Sequence, residues 1–536
     1  MIQMKKVIPA LLLSFSLLGT TVSVSAAPPE HSNYKERYIP VQLLGMNDFH
    51  GQLDVYGTVA GKKVGGAEYL AAYLKEYEAD AKRNNTDTLK VHVGDAIGAS
   101  APTSALLQDE PTIELFNELD MDVATVGNHE FDEGIEEMMR LINGGEHEAT
   151  GYFEGANFPF TVANVMNEET GEPILPPYVI KKVNGMPIGF IGVVTTETPN
   201  IVVPSAVEGI EFTDEVEAIN KTAAELKDKG VQSIVVLAHN PVLSDQDGSN
   251  PSGDVVEFAN EVDDEIDVIY GAHNHSYANT IVDNKLIVQS YANGTAFSDV
   301  DLMIDPKTKD IVHKEAEIVT TYHEGIEPDT EVKEMVDSYK AKVAPLVNEV
   351  IGEATDPLTR KQDDSGESAL GNFTADSQRA VMGTDIAFMN PGGIRADLDA
   401  GDITWGEVYT TSPFGNSLVS MELTGEQIKS VLEQQWSGSY QRILQISGLQ
   451  YTWDQNAPIG ERIVEITDDE GNPINPDQTY TVTANNYLAT GGDGFTVFKE
   501  GKNPVNGPVD YEAMVEYIKS FEEPIQAPAL DRIDVQ

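Results

Sequence analysis

Apolar, strand-like runs in the first half of the chain repeatedly end in a residue that can bind a metal ion. The runs are VQLLGMND, KVHVGD, ATVGN, IVVLAH and VIYGAH, and their last residues are Asp48, Asp95, Asn128, His239 and His273. A single ending of this kind is ordinary turn chemistry, because Asp and Asn favour turns. Five such endings within one region indicate a shared site.

Helix-like segments separate these runs, and the alternation predicts a layered α/β domain. Ligand sites in α/β sheets form at the carboxyl ends of strands, so the polar endings should face a common edge. Farther along, Val332, Val336 and Tyr339 fall at helical spacing, and Pro345 interrupts the pattern. This spacing predicts a linker helix over 329–350, followed by a second, mixed α/β domain.

Two pairs of residues strengthen the metal hypothesis. Asp48 and His50 are two positions apart, as are His273 and His275, and residues at this spacing in an extended strand point the same way. Asp95 has a carboxylate that can bridge two cations. Seven candidate ligands result, namely Asp48, His50, Asp95, Asn128, His239, His273 and His275. The chain has no cysteine, so this mixed N and O set predicts two divalent metal ions, Zn, Mn or similar.

Histidines are concentrated in the same region. The chain has ten, and five of them lie at or just beyond strand ends: His50, His129, His239, His273 and His275. Any one of them taken alone is more simply a surface or core residue. In the stretch GNHEFD, the bland alternative is a turn in which Asp132 caps a helix. The concentration of histidines favours a functional site over that alternative.

The first 26 residues have the pattern of a secretory signal peptide, with Lys5 and Lys6 before a short apolar run and small residues after it. A buried N-terminal helix is the alternative. No other stretch is long and apolar enough to predict a membrane span. The sequence thus predicts a secreted, extracellular protein, with association to the cell wall or a periplasmic location left open as alternatives. A net charge of −54 argues against nucleic acid as a partner, because binding to it needs a basic surface.

Several motifs together resemble those of a known family. NDFHG, GD, GNHEFD, AH and GAHNH are similar to the ordered motifs of the calcineurin-like metallophosphatases. NPGGIRADL, SPFGN and YLATGGDGF resemble the C-terminal domain of bacterial and animal 5′-nucleotidases. The resemblance implies a four-layer α/β metallophosphatase sandwich over residues 37–328. The linker helix of 329–350 and a smaller mixed α/β domain over 351–533 would follow it.

The resemblance also implies roles for the metal-side residues. One metal would be held by Asp48, His50, Asp95 and His275, and the other by Asp95, Asn128, His239 and His273. His129 would stabilise the transition state or the leaving oxygen, and Asp132 would orient His129 and favour its charged form.

The substrate side follows from the same resemblance. Arg395 comes after two glycines, which on composition alone suggests a tight turn with a surface arginine. The resemblance instead implies contacts to substrate from Asn390, Gly393, Arg395 and Arg360, although Asp364 stands where relatives often carry a further arginine. Phe414 and Tyr487, the latter in place of a commoner Phe, would clamp a nucleobase; either ring taken alone is better explained by core packing. Asn416 and Asp493 would contact base or ribose, and Asp493 has the alternative of stabilising a glycine-rich turn.

These expectations describe a hydrolase of nucleoside 5′-monophosphates, with a small-molecule nucleotide as substrate. A water would attack phosphorus in line, with no covalent enzyme intermediate. Closure of the two domains would carry the nucleotide to the metals. The alternatives are a 2′,3′-cyclic nucleotide 2′-phosphodiesterase, a UDP-sugar hydrolase, and a nucleotide-binding surface protein without activity.

Overall fold

The computed structural model describes residues 24–25, 38–438 and 441–536. The predicted signal peptide, residues 1–26, falls outside these ranges except for Val24–Ser25. No helix within the described ranges is both long and apolar enough to cross a membrane.

A seven-stranded sheet forms one half of the N-terminal domain. In spatial order its strands are Val24–Ser25, Ile311–Thr320, Ala296–Ile304, Ile39–Met46, Asp87–Val93, Val123–Thr125 and Phe160–Thr161. The last four run parallel to one another, so their carboxyl ends lie at the same edge. The turns after Ile39–Met46, Asp87–Val93 and Val123–Thr125 contain the first four predicted ligands.

A six-stranded sheet forms the other half. Its order is Tyr178–Val183, Met186–Val194, Ser233–His239, Ile266–Tyr270, Lys285–Ser290 and Tyr277–Val282. The four strands in the middle are parallel. They are buried almost throughout, which explains their continuous apolar runs.

The two sheets pack face to face and helices cover their outer faces. Leu43 and Val91 of the first sheet meet Leu237 and Val268 of the second in one buried cluster. Outside the first sheet lie the helices Ala67–Arg83, Pro102–Ala105, Glu110–Glu118 and Ile135–Asn143; outside the second lie Glu215–Asp228 and Asp254–Glu261. This order of layers confirms the predicted four-layer sandwich.

The helix Thr330–Val347 follows the N-terminal domain and packs against it. Asp329 caps its first turn by accepting a hydrogen bond from the Val332 amide, 3.0 Å long. Val332 and Val336 are buried among the helices of the first sheet. The helix continues past Pro345 and ends three residues short of the predicted 350, because the chain enters the strand Val350–Ala354 there.

The remainder of the chain forms a smaller mixed α/β domain. Its main sheet has the order Gln445–Ser447, Ile386–Met389, Thr479–Asn485, Ser417–Thr424 and Lys502–Val509. A three-stranded sheet consists of Ile463–Asp468, Leu449–Trp453 and Ile533–Val535, and Gly401–Thr404 pairs with Val350–Ala354. The helices are Ala369–Met382, Trp405–Thr411, Gly425–Glu433, Asn486–Ala489 and Asp510–Lys519.

Candidate metal centre and substrate cleft

All seven predicted ligands lie at the carboxyl edges of the two sheets. The first sheet provides Asp48, His50, Asp95 and Asn128, and the second provides His239, His273 and His275. Most of them are buried: Asp48 and His239 are fully inaccessible, while the side chain of His275 is one-third exposed. The centre therefore bridges the two sheets and opens towards solvent on one side.

The ligand side chains form two adjoining clusters, called the metal nests below. In the first, the Nε2 atoms of His50 and His275 are 3.0 Å apart, and His275 Nε2 lies 3.6 Å from Asp48 Oδ1. In the second, the ligand atoms of Asp95, His239 and His273 lie within 4.8 Å of one another.

Asp95 belongs to both nests. Its Oδ2 atom is 3.8 Å from His50 Nε2 and 3.2 Å from His239 Nε2. A carboxylate in this position can bridge two cations about 4 Å apart.

Five of the seven ligands have a left-handed backbone conformation. The φ angles are 50° for Asp48, 50° for His50, 53° for Asp95, 75° for His273 and 54° for His275. Such conformations are unfavourable for residues with a side chain and cluster at functional sites. The sharp turns they produce aim the side chains back across the sheet edge.

Two buried polar atoms indicate that the nests suit cations. Asn128 Oδ1 is shielded from solvent and has no hydrogen-bond partner, and His239 Nε2 is buried facing the Asp95 carboxylate at 3.2 Å. His239 Nδ1 donates to the Val93 carbonyl at 2.8 Å, and His50 Nδ1 donates to the Gly98 carbonyl at 2.9 Å. Both rings are thereby held with Nε2 facing inward, the usual arrangement of a metal-binding histidine.

The raised pKa of Asp48 also indicates that the site suits cations. Burial raises the pKa of Asp48 to about 7, although His239 opposes the shift. A buried carboxylate needs positive charge nearby to ionise fully. Two divalent cations would supply that charge, and the N and O donors present fit Zn or Mn.

Glu130 is a site residue that the sequence analysis missed. Its buried carboxylate accepts hydrogen bonds from the amides of Asp95 (2.9 Å), Ala96 (2.7 Å) and Gly127 (2.5 Å). These amides belong to the turns that carry Asp95 and Asn128. Glu130 therefore ties two ligand-bearing turns together.

His129 faces the cleft and is oriented by Asp132. His129 Nδ1 is 2.7 Å from Asp132 Oδ2, and the His129 amide donates to Asp95 Oδ1 at 2.9 Å. Burial lowers the pKa of His129, but Asp132 and Asp95 outweigh it, so the pKa is raised overall. The alternative role of Asp132 as a helix cap does not apply, since Gly134 precedes the helix Ile135–Asn143.

A cleft that is partly open to solvent joins this centre to the C-terminal domain. Its lining includes eleven of the candidate site residues. Four come from the N-terminal domain, namely Asn128, His129, Asp132 and His273. Seven come from the C-terminal domain, namely Asn390, Gly393, Arg395, Phe414, Asn416, Tyr487 and Asp493.

Arg395 and Phe414 lie next to His129. The Phe414 ring stacks on the His129 ring with centroids 5.6 Å apart, and Arg395 Cζ is 5.7 Å from the Phe414 centroid. Burial and the nearby Arg360 both lower the pKa of Arg395. Arg360 itself is exposed and is not among the residues lining the cleft. Its guanidinium donates to the carbonyl of Ile394, the residue before Arg395, at 3.3 Å. Arg360 therefore influences the cleft through its charge near Arg395.

Tyr487 and Asp493, which both line the cleft, form a hydrogen-bonded unit. The Tyr487 hydroxyl is 3.0 Å from Asp493 Oδ1 and accepts the Asp493 amide at 2.9 Å. Arg442 Nε lies 3.2 Å from the same Asp493 oxygen. Asp493 therefore fastens a glycine-rich turn while it also lines the cleft.

A short apolar segment of the N-terminal domain completes the lining. It comprises Ile201, Val202 and Val203, which the sequence analysis did not select. No motif marks these residues, because isolated Ile and Val side chains are ordinary in any globular domain.

Two family models match the chain. One, described as calcineurin-like phosphoesterase, matches residues 41–277, and the other, described as 5′-nucleotidase, C-terminal domain, matches residues 350–500. Together they cover the elements that carry the metal nests and most of those that line the cleft.

Known proteins resemble the chain over nearly its whole length. Endonuclease YhcR of Bacillus subtilis is 45% identical over 94% of this chain and 42% of that protein. Cell wall protein Lmo0130 of Listeria monocytogenes is 37% identical over 90% of this chain and 67% of that protein. The chain thus spans less than half of the first relative and about two thirds of the second. A solved 5′-nucleotidase precursor from Thermus thermophilus superposes with a TM-score of 0.78 at 29% identity, covering 93% of this chain and 99% of that one.

Proposed function

Because the chain belongs to the calcineurin-like phosphoesterases that carry a 5′-nucleotidase C-terminal domain, we propose that it is a secreted two-metal hydrolase releasing phosphate from nucleoside 5′-monophosphates. The observation that carries the proposal is the shared cleft: candidate metal ligands and His129 line it from one domain, and a tyrosine–aspartate unit lines it from the other. A nucleotide has matching ends, an anionic phosphate and a flat base.

The two nests divide the ligands between two cations. Asp48, His50, Asp95 and His275 would hold one, and Asp95, Asn128, His239 and His273 the other. When bound, the cations supply a nucleophile at neutral pH and neutralise charge on the phosphoryl oxygens.

His129 and Arg395 would act on the phosphate beside the metals, since His129 lies next to His50 and Asp95. His129 donates a proton or hydrogen bond to the phosphoryl or leaving oxygen, and Asp132 keeps the imidazole charged and aimed. Arg395 offers a planar, permanently charged fork, reinforced by the charge of Arg360. The two arginines repel each other until an anion arrives, which favours phosphate binding.

The C-terminal domain would recognise the nucleoside. Phe414 and Tyr487 present aromatic faces for the base, and Asn416 and Asp493 offer polar contacts to base or ribose. Asn390 and Gly393 form the turn before Arg395 and would let the backbone approach the substrate closely.

Movement of one domain against the other would load and release the nucleotide, since the cleft is formed by both. The chain has no cysteine, so one cysteine introduced into each domain gives a unique crosslinking pair. A crosslink that locks the domains should stop turnover. Unchanged turnover in the locked protein would refute domain movement.

An endonuclease activity for this chain is disfavoured. The relative named as an endonuclease is more than twice as long as the matched region, so its name need not describe that region. The net charge of −54 also opposes binding to a polyanion. Secretion is supported by the predicted signal peptide and by the cell-wall name of a second relative.

Phosphate release from AMP tests the proposal directly. The metal-loaded protein should release phosphate, and a chelator should abolish release until Zn or Mn is restored. A panel of AMP, 2′,3′-cyclic AMP and UDP-glucose then ranks the three candidate activities. If the protein holds two metal ions per chain and still releases no phosphate from AMP, the proposal is overturned.

A further inference from the structure

We propose that residues 200–203, in the metal-binding domain, form a wall of the nucleobase pocket and determine preference for phosphates that carry an aromatic base. The inference rests on the proposed function and adds a specificity determinant to it. Through this segment the metal-binding domain, and not only the C-terminal domain, would contact the base.

The segment is anchored directly to the metal-bearing sheet. It follows the strand Met186–Val194, whose last residue pairs with His239. Beyond that pair, the Thr195 amide donates to the His239 carbonyl at 3.2 Å. The Thr198 hydroxyl then donates to the Thr195 carbonyl at 2.7 Å. The position of the segment is therefore fixed relative to a proposed metal ligand.

The segment is also restrained along its own length. Pro199 lies in the short helix Thr198–Ile201, and Pro204 begins the next turn. Proline fixes φ, so few backbone conformations are available here. Val202 is only 3% exposed and anchors the segment in the core, while Ile201 and Val203 are partly exposed beside the cleft.

Tyr487 shows which part of the cleft the segment borders. Its hydroxyl lies 3.2 Å from the Asn200 carbonyl oxygen and 3.0 Å from Asp493 Oδ1, so it donates to one of these two acceptors. A phenylalanine at this position would lack the contact to Asn200. The segment consequently faces the aromatic ring proposed to stack on the base.

The chemistry of this wall selects its ligand. Ile201, Val202 and Val203 are apolar and line the cleft together with two aromatic rings, Phe414 and Tyr487. A flat purine or pyrimidine gains from burial between such surfaces, whereas a sugar phosphate without a base gains nothing there. The ligand class is therefore a nucleoside monophosphate with its base seated against the segment.

Ile201→Asn tests the wall, and Ile459→Asn is the matched control, because Ile459 is 61% exposed in the other domain and away from the cleft. The assay compares AMP with ribose 5-phosphate. The quantity of interest is kcat/KM for AMP divided by kcat/KM for ribose 5-phosphate. We expect Ile201→Asn to lower this ratio by about tenfold, mainly by raising the KM for AMP. Loss of roughly 50 Å² of apolar contact with the base predicts an effect of this size. The control should keep the wild-type ratio.

Calorimetry on the metal-loaded protein gives a second readout that does not depend on turnover. Ile201→Asn should weaken adenosine binding and leave inorganic phosphate binding as in the control variant. If Ile201→Asn changes neither the preference for AMP nor the affinity for adenosine, the proposal that residues 200–203 contact the base is overturned. Equal losses for both substrates would also overturn it, since they would indicate general damage. Failure of the wild-type protein to hydrolyse either substrate would instead reject the proposed function.

Discussion

His129 and Glu130 are consecutive residues with side chains that point in different directions. His129 lines the substrate cleft, whereas the Glu130 carboxylate is turned inward and accepts three backbone amides. One residue is placed to act on a ligand, and the other is placed to hold the turns that bind metal. Substitution at each position should therefore affect a different measurable quantity.

Removing the imidazole should reduce turnover without removing metals. We expect His129→Ala to lower kcat on AMP by about 10² to 10⁴-fold, the usual contribution of a positioned acid. Elemental analysis should still find two metal ions per chain, because His129 is not one of the seven proposed ligands. Loss of metals together with activity would show that His129 is a ligand instead.

Neutralising Glu130 should instead weaken metal binding. Glu130→Gln can accept fewer and weaker hydrogen bonds from the three amides, so the turns of Asp95 and Asn128 should loosen. We expect metal affinity to fall by about 10- to 100-fold, as for other residues that support ligands. Titration of the metal-free protein followed by competition with a chelator measures this change. Glu136→Gln, an exposed position on the next helix, is the control and should bind metal normally.

The sequence indicated the metal-ligand candidates better than the supporting residues. Asp48 and His273 could be selected because they belong to a series of five polar strand endings, which turn chemistry alone does not explain. Glu130 left no such signal, since its partners are backbone amides that any sequence contains. Ile201 and Val203 were missed for a related reason: an apolar wall of a cleft and an apolar core have the same composition.

At the level of elements, the order of strands and helices was predictable, but the exact ends were not. Ile39–Met46 stops before Asp48, and Asp87–Val93 stops before Asp95. The left-handed conformation of both aspartates cannot continue a strand. Tertiary demands of the site thus shortened strands that the apolar pattern alone would extend.

The helix Thr330–Val347 offers a test of how firmly the connection between domains is attached. Val336 is 3% exposed within the core of the N-terminal domain, so Val336→Ala should lower the free energy of unfolding of that domain by about 2 kcal/mol. Leu346→Ala, at a 40% exposed position of the same helix, should cost less than about 0.5 kcal/mol. Denaturant titration followed by fluorescence compares them. Equal effects would mean that Val336 does not anchor the helix.

For the whole molecule, the excess of acidic groups makes stability depend on pH. Burial, reinforced by Asp301, raises the pKa of Asp299 to about 7, although Gln42 donates a hydrogen bond to it. A carboxyl whose pKa is raised in the folded state costs stability as pH rises from its unfolded pKa, about 3.9, to its folded pKa, because only the unfolded chain has released the proton in that range. Asp299 should therefore destabilise the fold in alkaline solution and far less in acid.

Asp299→Asn should remove that cost. The melting temperature of the variant should exceed that of the wild type at about pH 8, and the difference should shrink steadily below about pH 7 and vanish only near about pH 4, where the carboxyl is protonated in the unfolded chain as well. Asp87→Asn makes the same change of charge at an exposed position of the same sheet and serves as control. A gain that is independent of pH would contradict the explanation.

The ligands come from both halves of the sandwich, four from one sheet and three from the other. Any ions held there would link the two layers, in addition to the apolar contacts and the hydrogen bonds, such as His239 Nδ1 to the Val93 carbonyl, that already join them. Depleting them should lower the melting temperature as well as stop chemistry, because binding energy specific to the folded state adds to stability. If such a protein is exported, the trace-metal content of the surroundings would then determine how long it stays folded outside the cell.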